Sequence, residues 1–140
     1  MSTLWLVDSS AWIFALRPRA FRPIQRRLDE LLAEDRVVIT GIIEMELLGG
    51  VRSEQQFEEL RESLAGLRRA EIREVDWSGA AEMAFRLRRA GRTVPFTDVM
   101  IAFQARRAGA GILHADRDFT VLCSDFHIEQ EDYSTAITGG

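Results

Sequence analysis

Lysine is absent from this chain; all 18 basic residues are arginine. That excludes any mechanism needing an active-site lysine, and it leaves a side chain suited to bidentate contacts with phosphates and carboxylates. Cysteine is nearly absent as well. The single Cys123 excludes an internal disulfide and is compatible with a reducing cytoplasm. The two histidines, His114 and His127, are too few and too far apart for a zinc signature, and His114 reads as a strand-end residue rather than a ligand. No apolar run approaches the ~20 residues of a membrane span. The N-terminus lacks a basic region followed by an apolar stretch and a cleavage site, so the expectation is a chain without a secretory leader, located in the cytoplasm. Linkers, repeats and low-complexity tracts are missing too.

What is present is a chain of 140 residues, 46% hydrophobic and 29% charged, which predicts one domain over residues 1–140 with a real core. The net charge of −4 does not exclude a nucleic-acid partner, because the distribution of charge counts for more than its total.

The apolar run Leu4–Val7 predicts a first strand, followed at once by Asp8-Ser9-Ser10 and a helix opening at Ala11. Pro18 and Pro23 bracket a basic turn, and Ile24, Leu28, Leu31 and Leu32 recur at helical spacing until near Asp35. Val37–Thr40 predicts a second strand, and Ile42–Leu48 a helix ended by Gly49-Gly50. Phe57, Leu60, Leu64 and Leu67 mark a further amphipathic helix. A third strand is expected over Ile72–Val75, then a helix capped by Ser78 and closed by Gly91. Thr93–Asp98 leads into a helix that runs to Gly109, Gly111–Ala115 predicts a fourth strand, and a short last strand is expected near His127–Glu129 before a polar tail. Alternating strands and helices predict an α/β fold, a parallel sheet flanked by helices.

In such a sheet function gathers at the C-terminal ends of the strands. Asp8 follows the first strand, Glu44 the second, Asp116 and Asp118 the fourth, and Asp98 opens a helix. Each acid also has an ordinary explanation: Asp8 and Asp98 as helix-capping groups, Asp116 and Asp118 as turn residues. Glu44 stands apart because it lies inside an apolar run, with small Gly41 and Thr40 on its helical flank, and Glu46 is its rival in the same segment. If the acids converge, two carboxylates ~4 Å apart repel by roughly 4 kcal/mol at an effective dielectric of 20. Such a cluster calls for a cation, and an all-oxygen ligand set favours Mg²⁺ or Mn²⁺ over zinc.

These segments carry a resemblance. Asp8 in Leu-Val-Asp-Ser-Ser-Ala-Trp-Ile, Glu44 in Thr-Gly-Ile-Ile-Glu-Met-Glu-Leu-Leu-Gly-Gly, Asp98 in Val-Pro-Phe-Thr-Asp-Val-Met-Ile-Ala, and Asp116 and Asp118 in His-Ala-Asp-Arg-Asp-Phe resemble, in order, the four motifs of PIN-domain ribonucleases. The compact size is similar to that of VapC-type toxins of type II toxin–antitoxin pairs. The resemblance implies a PIN-like α/β/α fold and a Mg²⁺- or Mn²⁺-dependent endoribonuclease. It implies Asp8, Glu44, Asp98 and Asp116 as the core of the metal site, with Asp118 as a fifth ligand or water holder and Ser10 as an orienting hydroxyl. The implied partners are an RNA substrate, a VapB-like antitoxin lying across the acidic site, and a second copy of the toxin, giving a homodimer and larger assemblies with the antitoxin. Trp12, Phe14 and Phe21 are candidates for the antitoxin surface and equally for the core. Arg17, Arg19, Arg22, Arg26 and Arg27, and Arg86, Arg88, Arg89 and Arg92, either track an RNA backbone or form solvated helix faces, and Arg106 and Arg107 do so less readily. The serious alternative is a PIN-like module that binds RNA or protein without cutting. A phosphoacceptor receiver lacks its lysine here, and a haloacid-dehalogenase-type phosphatase would place its aspartates two apart after the first strand, where this chain has Asp8-Ser9-Ser10.

Overall fold

Short β-branched and apolar segments pair side by side in the computed structural model, which describes residues 2–138. The strands are β1 (Trp5–Val7), β2 (Val37–Thr40), β3 (Arg68–Ala70), β4 (Gly111–His114) and β5 (Gln130–Asp132). They form one five-stranded sheet in the order β3-β2-β1-β4-β5, and every neighbouring pair is parallel. The three central strands are buried along their whole length, which is why they read as continuous apolar runs rather than alternating ones.

Eight helices surround the sheet among the described residues: α1 (Ser9–Leu16), α2 (Arg22–Ala33), α3 (Gly41–Gly49), α4 (Glu54–Ala65), α5 (Glu74–Arg89), α6 (Phe96–Arg107), α7 (Arg117–Phe126) and α8 (Ser134–Thr138). Their principal contacts fall into two sets, α1 to α4 and α5 to α7. Right-handed crossovers impose that division when a chain winds outward from β1 to β3 and then from β4 to β5 on the other side. Two glycines permit close approaches: a Cβ on Gly111 would sit 2.6 Å from the Trp5 ring across β1–β4, and one on Gly79 of α5 would sit 2.2 Å from Phe103 of α6.

Three expectations need correction. The third strand is Arg68–Ala70 rather than Ile72–Val75, and α5 begins at Glu74 rather than after a Ser78 cap. As an edge strand β3 buries only Ala70, so it carries no apolar alternation to read. At the start of α5 the buried Asp76 accepts a 2.7 Å hydrogen bond from the Arg73 amide and so caps the helix ahead of Ser78. The last strand is Gln130–Asp132 rather than His127–Glu129, because His127 ends α7 in the left-handed conformation with φ 55°.

Candidate active site

The strand order reverses between β1 and β4, and that switch point opens a crevice at their C-terminal ends. Asp8 leaves β1 there and caps α1, accepting at Oδ2 from the Ser10 amide at 3.1 Å and the Ser10 hydroxyl at 2.6 Å. The Ser10 hydroxyl oxygen in turn accepts from the Ala115 amide at 3.0 Å, tying the end of β1 to the end of β4. Asp116 caps α7, accepting from the Asp118 amide at 2.9 Å, and Asp118 lies in the first turn of that helix. Asp98 lies in the first turn of α6. Four of the acids therefore stand at three helix N-termini, where the partial positive charge of the helix dipole favours them.

One carboxylate oxygen from each of Asp98, Asp116 and Asp118 falls within 4.8 Å of the other two. Burial pushes the Asp98 carboxyl up to about 7, and the charges of Asp8, Asp116, Asp118 and Glu46 add to the effect. Asp8 is almost fully buried, and its carboxyl is raised above the usual range by that burial, against the lowering hydrogen bonds from Ser10 and Ser9. Burial also raises Asp118, with Asp116 adding to it. No arginine pairs with any of these four aspartates among the described residues, so the protein supplies no cation of its own here. An all-oxygen set of mutually repelling carboxylates fits a hard divalent ion, with Asp98, Asp116 and Asp118 as the residues placed to hold it.

Of the five acids read from the sequence, the structure gathers Asp8, Asp98, Asp116 and Asp118 and leaves out Glu44. Glu44 pairs instead with Arg69 on β3. The acid that α3 turns toward the crevice is Glu46, which accepts from the Ser9 hydroxyl at 3.2 Å. Its carboxyl is raised by burial and by the charges of Asp8 and Asp116. The reason is geometric. Ile43 and Leu47 form the centre of the buried face of α3, which Leu48 extends, and Glu44 and Glu46 flank the Ile43–Leu47 line on opposite sides, about 80° either way at 3.6 residues per turn. In the strand order β3-β2-β1 one flank faces β3 and the other faces β1. Both acids lie beside the buried residues, and the helix alone does not say which flank faces β1.

The remaining expectations sort similarly. Trp12 is buried, and Phe14 and Phe21 pack partly buried against the core, whereas Ile13 and Leu16 on the same helix are more than half exposed. Arg27 is committed to Glu131 and Glu30, and Arg107 to the buried Asp76. Arg86 pairs with Glu82 and Arg92 with Asp125. Arg88 and Arg89 lie over Phe96 and Phe85. Arg19, Arg22 and Arg26 are exposed without an ion-pair partner among the described residues. Among the described residues no helix is long and apolar enough to cross a membrane.

A profile of the PIN domain matches residues 5–124. Ribonuclease VapC11 of Mycobacterium tuberculosis is 34% identical over 122 residues, covering 84% of this chain and 90% of that protein. Among solved structures, a chain of the DNA-bound VapBC complex from Salmonella typhimurium superposes with a TM-score of 0.75 at 21% identity, covering 93% of this chain and 98% of that one. VapC20 of Mycobacterium tuberculosis, a sarcin–ricin loop cleaving toxin, superposes with a TM-score of 0.62 at 20% identity, covering 84% and 93%. With its sheet order, its acids at the β1/β4 crevice and these matches taken together, the chain belongs to the PIN-domain family, in its VapC branch.

Proposed function

We propose that this protein is a divalent-metal-dependent endoribonuclease and the toxin partner of an antitoxin. The observation that carries the reading is the crevice itself, where one oxygen from each of Asp98, Asp116 and Asp118 lies within 4.8 Å of the other two. The Asp98 carboxyl is raised there by burial and then by the charges of Asp8, Asp116, Asp118 and Glu46, with no protein cation paired to the four aspartates among the described residues. A bound Mg²⁺ or Mn²⁺ ion would supply the positive charge that activates water and offsets charge developing on the phosphate. Asp98, Asp116 and Asp118 would hold that ion, with Asp8 and Glu46 completing the negative field around it. Ser10 fixes Asp8 Oδ2 and, through the Ala115 amide, sets its position relative to the β4 end. No side chain has to act as a covalent nucleophile, so the missing serine or cysteine triad costs nothing.

The relatives named as ribonucleases support RNA as the substrate. The exposed Arg19 of the α1–α2 connection and Arg22 and Arg26 of the first two turns of α2 are the free cations best suited to its backbone. The antitoxin segment would lie in the groove of about 650 Å³ lined by Ile13, Pro18, Val51 and Leu60, where Arg17 and Arg52 favour an apolar segment with acidic flanks. A second copy of the chain would pair through the α5–α6 face, where exposed Trp77, Phe85 and Phe96 stand around a floor of Ala80, Val99 and Met100. Structured RNAs incubated with the purified protein should be cut in Mg²⁺ or Mn²⁺ and left intact in chelator or by Asp8→Asn and Asp98→Asn. Cleavage that survives chelation, or is unchanged in both variants, overturns the reading. RNA bound but never cut, with the ion present, replaces it with a binding module.

A further inference from the structure

The turn that carries Asp116 and Asp118 is held amide by amide. β4 ends at His114, and beyond it the Ala115, Asp116 and Asp118 N–H groups each find a different side chain. The Ala115 amide donates to the Ser10 hydroxyl at 3.0 Å, the Asp116 amide to His114 Nδ1 at 3.2 Å, and the Asp118 amide to Asp116 Oδ1 at 2.9 Å. The His114 ring has no solvent exposure and lies 5.7 Å from the Phe119 ring, centroid to centroid. Since Nδ1 accepts, the ring proton is on Nε2, which faces Gln130 Oε1 on β5 at 2.8 Å. Both nitrogens are occupied within the protein, so the ring is not available as a metal ligand.

Resting on the metal-site reading above, we propose that His114 is a positioning residue: its Nδ1 fixes the Asp116 amide so that Asp116 and Asp118 meet Asp98, and Gln130, the partner of Nε2, holds the ring in the orientation that makes this possible. The opposite tautomer would point a proton at the Asp116 N–H, two donors facing each other. The Asp116 peptide would then rotate, and the Asp116 carboxylate and the first turn of α7 would move with it. The dependence reaches further along the chain, because Tyr133 N–H donates to the His114 carbonyl at 2.9 Å. Asp132, whose Oδ1 stands 3.9 Å from Nδ1, is itself held by Thr120 and the Ser134 amide. The edge strand β5, which carries none of the acids of the site, thus becomes part of the support of two of them.

The test uses the full chain and reads Mn²⁺ affinity by calorimetry beside the melting temperature, so that binding is separated from folding. His114→Leu should bind Mn²⁺ about 10- to 100-fold more weakly, the usual cost of losing a group that orients a ligand. His114→Asn, whose Oδ1 can stand where Nδ1 stands, should recover to within about threefold of the parent, a rescue that simple core filling does not give. Gln130→Met, with the imidazole kept but its Nε2 left without a partner to hold the ring, should weaken binding about 3- to 10-fold. A folded His114→Leu that binds like the parent, or a His114→Asn as weak as His114→Leu, overturns the inference. If His114→Leu does not fold, parent-like binding by Gln130→Met overturns it instead. Asp98→Asn serves in the same assay: if it binds Mn²⁺ like the parent, the metal-site reading falls and takes this inference with it.

Discussion

Replacing Asp98 by asparagine should make the metal-free protein more stable and the metal-loaded protein less so. In the metal-free protein the Asp98 carboxyl is pushed from 3.8 to about 7, first by burial and then by the charges of Asp8, Asp116, Asp118 and Glu46. A carboxyl raised in this way holds its proton more tightly folded than unfolded. The folded state therefore binds more protons between about pH 4 and about pH 7, and the contribution of this group to stability falls as pH rises through that window and is flat above it. At about 1.4 kcal/mol per unit the full gap amounts to ~4 kcal/mol. Asp98 is only partly buried, and solvent screening brings the net effect down to ~1–2 kcal/mol. Asparagine keeps the shape and discards the charge, so in chelator at pH 8 Asp98→Asn should melt about 3–8 °C above the parent. Near pH 4, where the parent carboxyl is protonated as well, that lead should vanish. Mn²⁺ at ~100 times its dissociation constant adds about 2.7 kcal/mol to the parent and little to the variant, so the order inverts. Differential scanning calorimetry at both pH values, with and without Mn²⁺, measures all four numbers. A metal-free parent more stable than the variant at pH 8, or a lead for the variant that does not change with pH, refutes the electrostatic account of the crevice.

Glu46→Gln should lower RNA cleavage by at least about tenfold, whereas Glu44→Gln should leave the rate within about twofold and cost less than ~1 kcal/mol, the scale of a partly exposed ion pair; initial rates beside melting curves separate the two. Ser10→Ala strips the 2.6 Å bond from Asp8 and leaves the Ala115 amide without its acceptor. It should cost ~1–3 kcal/mol in urea unfolding and lower cleavage about 10- to 100-fold. Arg107→Leu leaves the buried Asp76 without its 3.0 Å partner. The expected loss is about 2–3 kcal/mol by urea unfolding, below the ~3–5 of a fully buried pair because Arg107 keeps some solvent, with Mn²⁺ affinity unchanged.

What was legible in the sequence follows from what each residue has to bury. β2 occupies the expected Val37–Thr40 because a central strand buried on both faces leaves a continuous apolar signature. β3 has almost no core to fill, so its two exposed arginines conceal it, and the apolar Ile72–Val75 beside it misleads; Val75 proves exposed, within α5. α7 went unread as a helix although Phe119, Leu122, Cys123 and Phe126 carry the three- and four-residue spacing of a buried stripe. Its glycine-free end conceals the boundary, since His127 takes up the left-handed turn. In the site, the aspartates were recoverable because a strand end or a helix start is a local property. The choice between Glu44 and Glu46 was not, because it depends on which neighbour lies on each side of β2, and strand order is not written in the helix.

The carboxylates of the crevice are also the fastenings of the helices that begin there: Asp8 closes the first turn of α1 and Asp116 that of α7. The same side chains thus serve the crevice and the fold, and the two can be parted by a change that keeps a capping oxygen and removes the charge. Alanine at either position removes a carboxylate from the crevice and loosens a helix together, so lost activity in such a variant says little about mechanism. Asparagine keeps the capping oxygen and gives up the charge. A lineage that silenced this enzyme while keeping its shape would have a narrow exit, through asparagine at positions 8 and 116, with the serine at position 10 still in place to hold the first of them.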